Sequence, residues 1–239
     1  VDRRVYCWGE NGAGYLGDGS PSATRRAAPG PIASSQQFTG LSVSRAHRCA
    51  VTESGEVYCW GFNAFSQLGN GTTATAFTPQ RVQALPAVTA VSAGEDFTCA
   101  LDRDQGVWCW GRNNFGQLGD GTTINRPLPV RLPGVRRYMA VSTGIRMSCA
   151  LDDTGMAWCW GRGPVGDGTA SNRATPTSVV TDQRFTQIAS GASHTCALAS
   201  DGKAWCWGGL GAIGDGAMTS RAAPVPVTGD RRYTAIAAG

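Results

Sequence analysis

The 239-residue chain has little lysine and little histidine. It contains a single lysine, Lys203, and only two histidines, His47 and His194. No apolar run is long enough to cross a membrane as a helix, and no stretch has helical periodicity. The cysteines never form C-x-x-C, and no glycine precedes Lys-Ser or Lys-Thr as in a phosphate-binding loop. We therefore expect no membrane insertion, no metal site and no cofactor.

Catalytic constellations are also missing. The two histidines occupy matching places in a repeated pattern, where other copies carry Phe97 and Met147. A position that accepts His, Phe or Met is a packing position and not a catalytic one. There is no Ser-His-Asp order, no nucleophile elbow and no recurring pair of carboxylates. We expect a protein that is not an enzyme.

The net charge is +4, and it is dispersed. Arginine pairs occur at residues 3–4, 25–26, 136–137 and 231–232. A nucleic-acid-binding surface normally has a denser basic patch, so solvated arginines on strand edges and loops are the favoured interpretation.

The dominant feature that is present is a repeat. Pairs of cysteines recur with a sequence separation of 10, and each second cysteine is followed by Trp-Gly. The pairs are Cys49 and Cys59, Cys99 and Cys109, Cys149 and Cys159, and Cys196 and Cys206. The second half of the motif also appears alone around Cys7.

Each cysteine pair fits a β-hairpin. If Cys49 faces Cys59, then residues 53–55 form a three-residue loop ending in Gly55, which suits a left-handed last position. Opposed residues in antiparallel strands are close to disulfide reach. We predict one disulfide within each hairpin; metal binding, the alternative, would need ligand clusters that are missing here.

The strand after each loop is apolar on both of its faces. Val57 and Cys59 point to one side, and Tyr58 and Trp60 point to the other. A strand of this kind is packed between sheets and does not lie on a solvated surface.

The repeat is about 50 residues long and contains four predicted strands. A strand of small residues comes first, then the two cysteine strands, a glycine-rich excursion and an outer strand containing proline. Four strands at this period predict an all-β fold, a β-propeller of four-stranded blades. The small first strands suit the crowded axis.

The motifs also resemble a known family. The segment from Gly191 to Leu198, the Trp-Cys-Trp-Gly strands and the segment from Asn113 to Thr122 are similar to regulator-of-chromosome-condensation repeats. The resemblance implies a propeller, usually of seven blades, and relatives that act as docking platforms, exchange factors for a small GTPase or inhibitors of a secreted hydrolase. That family normally lacks regular cysteine pairs, which favours an exported, bacterial-type relative over a nuclear protein.

The five repeats predict a single propeller domain over residues 1–239. The first repeat lacks a cysteine strand, so Cys7 has no evident partner, and five is fewer than the family's seven. We expect the chain to be part of a longer protein with an incomplete ring; a closed five-bladed ring is the second interpretation.

Two kinds of loop differ between the repeats while the framework stays constant. One precedes the first cysteine strand and the other follows Trp-Gly. Divergent loops at one propeller end suit a protein partner, although drift on unconstrained loops explains the variation equally well. The candidate partner-binding residues are Arg45, Ala46, Glu95, Asp96, Ile145, Arg146, Ala192, Ser193, Tyr15, Phe65, Arg112 and Phe115.

The resulting hypothesis is a non-catalytic interaction or structural module that binds a protein partner outside the cell or in the periplasm. Nine cysteines favour an oxidising compartment. A role within a larger surface assembly is a variant of this hypothesis. The alternative is a carbohydrate-binding propeller, which predicts the same aromatic group in every repeat, whereas only Phe65 and Phe115 match.

Overall fold

The computed structural model describes residues 3–20, 25–209 and 213–239. In these ranges the ordered elements are strands, with no helix. The strands are β1 (Tyr6–Gly9), β2 (Arg26–Pro31), β3 (Phe38–Val43), β4 (His47–Thr52), β5 (Val57–Gly61), β6 (Ala76–Arg81), β7 (Val88–Ala93), β8 (Phe97–Asp102), β9 (Val107–Gly111), β10 (Arg126–Arg131), β11 (Tyr138–Thr143), β12 (Met147–Asp152), β13 (Ala157–Gly161), β14 (Arg173–Ser178), β15 (Phe185–Ser190), β16 (His194–Ala199), β17 (Ala204–Gly208) and β18 (Arg221–Pro226).

These strands form four four-stranded sheets and one two-stranded sheet. β1 pairs with β2, and the larger sheets follow the chain as β3–β6, β7–β10, β11–β14 and β15–β18. The predicted proline strands are β6, β10 and β18, and each is the last strand of its sheet. Proline has no N–H to give to a neighbouring strand, so an edge position leaves no ladder bond unmade. The four-stranded repeat predicted for a β-propeller is confirmed.

The register of the cysteine hairpins is the predicted one. Cys49 lies opposite Cys59, and Val51 lies opposite Val57. Gly55 adopts φ of 89° at the end of the loop. In the second copy the glycine comes one position later, and Gln105 takes the left-handed conformation itself with φ of 67°. The backbone geometry of the turn is therefore kept even where a side chain makes it costly.

Each predicted disulfide forms within one hairpin. The bonds join Cys49 to Cys59, Cys99 to Cys109, Cys149 to Cys159 and Cys196 to Cys206, with a Cα–Cα separation of 4.1 Å in each. Cys7 is free and half-buried, and burial raises the pKa of its thiol.

The chain divides into two compact units. The first comprises Val1–Arg103, Trp108–Arg112 and Asn125–Val130, and it contains the sheets β1–β2 and β3–β6 and most of β7–β10. The second comprises Asp104–Val107, Asn113–Ile124 and Arg131–Gly239, and it contains β11–β14 and β15–β18.

In the first unit the core lies between neighbouring sheets. Trp110 is fully buried and packs with Leu68, Val82, Val88 and the Cys49–Cys59 disulfide. Its indole Nε1 donates a hydrogen bond to the Gln67 carbonyl at 2.8 Å. The burial of one such side chain stabilises the fold by about 1.5–3 kcal/mol or more. In β5 Trp60 is buried and Tyr58 half-buried, so this strand is covered on both faces, as its pattern predicts. In β1 the Trp8 side chain is 61% exposed, so the strand with the isolated half of the motif is not covered.

The core of the second unit repeats this arrangement. Trp207 is fully buried among Val165, Phe185 and the Cys149–Cys159 disulfide. The small first strands approach closely, since the Ser190 amide donates to the Ser142 hydroxyl at 2.9 Å. A larger residue at either position would hold these strands apart, which explains the small residues.

One predicted strand is not formed. Residues 235–239 have the small-residue pattern of the first strands, which predicts one more such strand, but they are irregular. The Ile236 amide donates to the side-chain oxygen of Gln187 at 3.2 Å, and the Ala192 amide donates to the Gly239 carbonyl at 3.3 Å. A strand needs a ladder of backbone bonds to its neighbour, and these contacts do not form one.

Candidate partner-binding loops

The two divergent loop types of each repeat lie next to each other. The residue that follows Trp-Gly donates its amide to a carbonyl of the turn before the first cysteine strand. These bonds are Phe62 to Ala46 at 3.0 Å, Arg112 to Asp96 at 2.9 Å, Arg162 to Arg146 at 2.8 Å and Gly209 to Ser193 at 2.6 Å. We call each such couple the paired loops of a repeat. The hairpin positions them, because one loop precedes its first strand and the other follows its second.

Buried asparagines fix the loop that follows Trp-Gly. The Asn113 amide donates to the carbonyls of Thr122 and Ile124 at 3.1 Å each, and its side-chain oxygen accepts from the Leu118 amide at 2.9 Å. Asn63 makes the equivalent bonds in the preceding repeat. Sequence reasoning missed these asparagines. Their recurrence at one position of the repeat was the signal.

In the first unit, three candidate residues and one further side chain form what we call the Phe65 cluster. The candidates are Phe65, Asp96 and Arg112, and the further residue is Gln67. The Arg112 guanidinium lies 4.6 Å from the Phe65 ring centroid and donates to the Asp96 carboxylate at 3.0 Å. The Gln67 amide nitrogen lies 3.5 Å from the other carboxylate oxygen of Asp96, at the long limit of a hydrogen bond. Positive and negative charge are balanced within this cluster.

In the second unit, the same positions form the Phe115 cluster, which contains Phe115, Gln117, Arg146 and Arg162. Arg146 and Arg162 lie 5.2 Å and 5.7 Å from the Phe115 ring centroid. Arg146 occupies the repeat position of Asp96, so this cluster carries two positive charges. Such contacts contribute about 0.5–1 kcal/mol each at exposed sites.

The remaining candidate residues are placed differently. Tyr15 holds the repeat position of Gln67, its ring lies 4.4 Å from the Arg48 guanidinium, and its carbonyl accepts from Trp60. Arg45 is 87% exposed and lies 3.7 Å from Glu95. Ile145 is half-buried, Ala192 and Ser193 are exposed, and Ala46 is buried. Ala46 thus offers its backbone and little side-chain surface. Residues 210–212 of the last variable loop lie outside the described residues.

His47 is a packing residue, as the comparison of repeats indicated. It is fully buried, its Nε2 lies 2.7 Å from the Thr98 hydroxyl, and its Nδ1 lies 3.1 Å from the Ser44 hydroxyl. Burial, together with the charge of Arg48, lowers the pKa of His47 from 6.5 to about 3. His194 is half-buried, and burial lowers its pKa as well.

In the Asp-Gly turn at residues 167–168, the aspartate carboxylate accepts hydrogen bonds from nearby residues of the same repeat. Asp167 accepts hydrogen bonds from Thr169 and from the Arg173 side chain. Burial raises the pKa of the Asp167 carboxyl, but these bonds outweigh burial and leave the pKa below its ordinary value. Across residues 3–20, 25–209 and 213–239, no three His, Cys, Asp or Glu side chains form a group that could hold a metal ion.

Residues 12–17 have the G-x-G-x-x-G spacing of a dinucleotide-binding loop, but not its structural context. That motif needs a following helix, and the described part of the chain has none. Gly14 and Gly17 have positive φ, and a Cβ on either would lie within 3 Å of Phe77 or Trp60. These glycines allow close packing of the next repeat. The described residues also include no helix that is long and apolar enough to span a membrane.

Comparison with known proteins gives a consistent result. A family model described as RCC1-like domain matches residues 1–239. The chain is 31% identical over 85 residues to the E3 ubiquitin-protein ligase HERC2 of Homo sapiens, an alignment that covers 36% of the chain and 2% of HERC2. It is 34% identical over 84 residues to the ultraviolet-B receptor UVR8 of Arabidopsis thaliana, covering 35% of the chain and 19% of UVR8.

Solved structures show the same fold. Human WBSCR16 superposes with a TM-score of 0.90 at 24% identity, covering 100% of the chain and 66% of that protein. Prp20p from Saccharomyces cerevisiae superposes with a TM-score of 0.81 at 24% identity, covering 95% of the chain and 60% of that protein. The chain therefore spans less than two thirds of each of these proteins.

Proposed function

Because the chain belongs to the RCC1-like domain family over its whole length, we propose that it is a non-catalytic module that binds a protein partner through its paired loops. Two solved structures of one protein of the same fold support the proposal. Prp20p is described with its binding to Gsp1p and histones, and the same protein, yeast RCC1 (Prp20), is seen in complex with Kap60. A propeller of this fold therefore binds other proteins.

The observation that carries the proposal is the constant backbone of the paired loops combined with their variable side chains. Four repeats make the same amide-to-carbonyl bond between the two loops. At the position before the first cysteine strand, the side chains are Ala46, Asp96, Arg146 and Ser193. A rigid frame that presents different groups suits recognition of one particular partner.

The composition of the paired loops also suits a protein interface. Arginine and aromatic residues are enriched at the centres of protein interfaces and dominate their binding energy. Here the rings of Phe65 and Phe115 each contact an arginine guanidinium, and the Arg45 side chain is exposed to solvent.

We place the protein outside the cell or in the periplasm, on its own or within a larger surface assembly. Four intrachain disulfides suit an oxidising compartment, because cytosolic reductants keep thiols reduced. A thiol titration of protein isolated from its native source tests this placement. Eight reactive thiols, beyond Cys7, in the unfolded and unreduced protein would contradict it.

The test of the proposed function is capture of a partner from the native medium or cell envelope. We expect Arg45→Glu in the paired loops to lose the partner. A matched control is Arg131→Glu, which changes the same exposed residue type at the end of the outer strand β10. Equal recovery by the wild type and both variants would refute binding through the paired loops.

The carbohydrate alternative is weaker. Sugars stack on open aromatic faces, whereas the Phe65 and Phe115 rings each have a guanidinium within 6 Å of the centroid, at 4.6 Å and 5.2 Å. A glycan array with strong hits that disappear in Phe65→Ala would nevertheless replace the proposal.

A further inference from the structure

The two aromatic clusters share one scaffold. Gln67 and Gln117 are 0% and 1% exposed, and each side-chain oxygen accepts the amide of the phenylalanine two residues earlier, at 3.0 Å and 2.9 Å. Each backbone carbonyl accepts an indole Nε1, from Trp110 at 2.8 Å or from Trp160 at 2.9 Å. The two glutamine amide nitrogens are therefore oriented by equivalent bonds.

The clusters differ in what faces that amide nitrogen. In the Phe65 cluster, Asp96 places one carboxylate oxygen at 3.5 Å from the Gln67 nitrogen and the other at 3.0 Å from Arg112. The Asp96 side chain is 13% exposed, so it is a nearly buried anion between two donors. A buried carboxylate is stable only with such partners.

In the Phe115 cluster the donors remain but the carboxylate does not. The Gln117 nitrogen is buried and has no hydrogen-bond partner among the described residues. The Nε of Arg146 has none either, but the Nε of Arg112 in the Phe65 cluster is also unpaired, so the contrast between the clusters lies in the glutamine amide. Within the same residues, no acidic side chain forms an ion pair with Arg146 or Arg162. Leaving a buried donor unsatisfied costs about 1–3 kcal/mol. Two positively charged guanidiniums near one ring, at 5.2 Å and 5.7 Å from its centroid, also repel each other.

We infer that the Phe115 cluster binds a carboxylate of the protein partner, an Asp or Glu side chain that takes the place Asp96 fills in the Phe65 cluster. The inference rests on the proposed function and adds the chemistry of the partner. One carboxylate oxygen accepts from the Gln117 amide, and the other accepts from the Arg162 guanidinium, which holds the position of Arg112. Arg146 supplies further positive charge, and the Phe115 ring packs against both guanidiniums.

The test uses a capped alanine peptide with a single aspartate, and the same peptide with asparagine as the matched control. Side-chain amide and guanidinium signals of the isotope-labelled protein are followed by NMR. We expect the aspartate peptide to move the Gln117 amide signals in a saturable way while the Gln67 signals stay in place. No response, or an equal response to the asparagine peptide, would overturn the inference.

Swapping residues between the clusters gives the sharpest variants. Arg146→Asp is expected to fill the Phe115 cluster with its own carboxylate, moving the Gln117 signals without peptide and abolishing peptide binding. Asp96→Arg is expected to open a second site, at Gln67. Arg162→Gln changes an exposed residue and so avoids a folding defect. It is expected to weaken binding of the aspartate peptide at least about tenfold. Peptide binding unchanged by Arg146→Asp and Arg162→Gln would refute the assignment.

Other outcomes separate this inference from the proposed function. Binding of inorganic phosphate without binding of the aspartate peptide would replace the carboxylate with a phosphate group. Capture of a partner through the paired loops without peptide binding would leave the proposed function standing and overturn the carboxylate site. Peptide binding at Gln117, combined with partner capture that is equal for the wild type and Arg45→Glu, would overturn the proposed function alone.

Discussion

Protonation of His47 is expected to set the stability of the first unit in mild acid. The imidazole is fully buried, and its two nitrogens lie 2.7 Å and 3.1 Å from the hydroxyls of Thr98 and Ser44. Burial, aided by the nearby Arg48 charge and opposed by a backbone hydrogen bond at Glu95, lowers the pKa to about 3. The folded protein therefore holds this histidine neutral.

The direction of the pH dependence follows from the different pKa of His47 in the folded and unfolded protein. In the unfolded chain the imidazole takes up a proton below about pH 6.5. In the folded protein it does so only near pH 3. The contribution of His47 is thus complete above about pH 6.5 and is lost as the pH falls through this window. Over the two units from about pH 6.5 to about pH 4.5, the loss amounts to about 2–3 kcal/mol.

The comparison variant is His47→Met, because the matching position in the second unit is Met147, itself 3% exposed. Urea unfolding of both proteins at about pH 6.5 and about pH 4.5, at constant ionic strength, measures the free energy of unfolding. We expect the wild type to lose about 2–3 kcal/mol more than the variant between the two pH values. Carboxylates that titrate in the same range are common to both proteins and cancel.

A second variant, His194→Met, controls for histidine in general. His194 is half-buried and no hydrogen bond of its side chain ties it to the core among the described residues, so its pKa is lowered by burial alone. It is expected to change the pH dependence less than His47→Met does. Parallel pH dependence of the wild type and His47→Met would refute the reasoning.

Two other predictions concern stability. Replacing Cys99 and Cys109 together by alanine opens a short loop and is expected to lower the free energy of unfolding by about 2–3 kcal/mol in chemical denaturation; a decrease below about 1 kcal/mol would contradict the entropic account. Gly69 and Gly71 have similar positive φ values, 65° and 80°. Gly69→Ala places a Cβ 2.7 Å from the Trp110 indole nitrogen, whereas the nearest atom to the Cβ of Gly71→Ala is at 3.7 Å. Both variants pay for the left-handed backbone, but Gly69→Ala is expected to lose about 1–3 kcal/mol more in the same assay, and equal losses would show that the indole moves aside freely.

The hairpin register was predictable from the sequence because a disulfide and a loop length fix it independently. Once Cys49 faces Cys59, every residue of the two strands has one partner and one face. The left-handed loop end was also predictable at Gly55. At Gln105 it was not, because the glycine signal is displaced by one position while the backbone requirement stays in place.

The alternating pattern predicted buried tryptophans, but it does not show which copy has a neighbour that covers it. Trp60 and Trp110 are fully buried because they lie against Gly17 and Gly69 of the preceding repeat. Trp8 has the same Cys-Trp-Gly context and is 61% exposed. A repeat of this kind cannot bury its own aromatic side chain, so burial depends on a neighbour and not on local sequence.

The divergence between repeats predicted which loops are candidates, but it did not predict the contacts between their side chains. Asp96 and Arg112 are sixteen positions apart, and only the folded hairpin brings the carboxylate to 3.0 Å from the guanidinium. The partners of Gln67 and Gln117 depend on the same fold. Tyr15 is offset from the two phenylalanines in the repeat, since it occupies the place of Gln67, and only the fold shows that its ring contacts Arg48.

Repeats within one chain act as controls for one another. The Phe65 and Phe115 clusters share a phenylalanine, a buried glutamine, an arginine after Trp-Gly and the same backbone bonds. They differ at one of these positions, where Asp96 faces the Gln67 amide and Arg146 leaves the Gln117 amide without an acceptor. A partner carboxylate would give the unpaired Gln117 amide an acceptor and would offset the excess positive charge, and this is the physical reason for the site proposed at the Phe115 cluster.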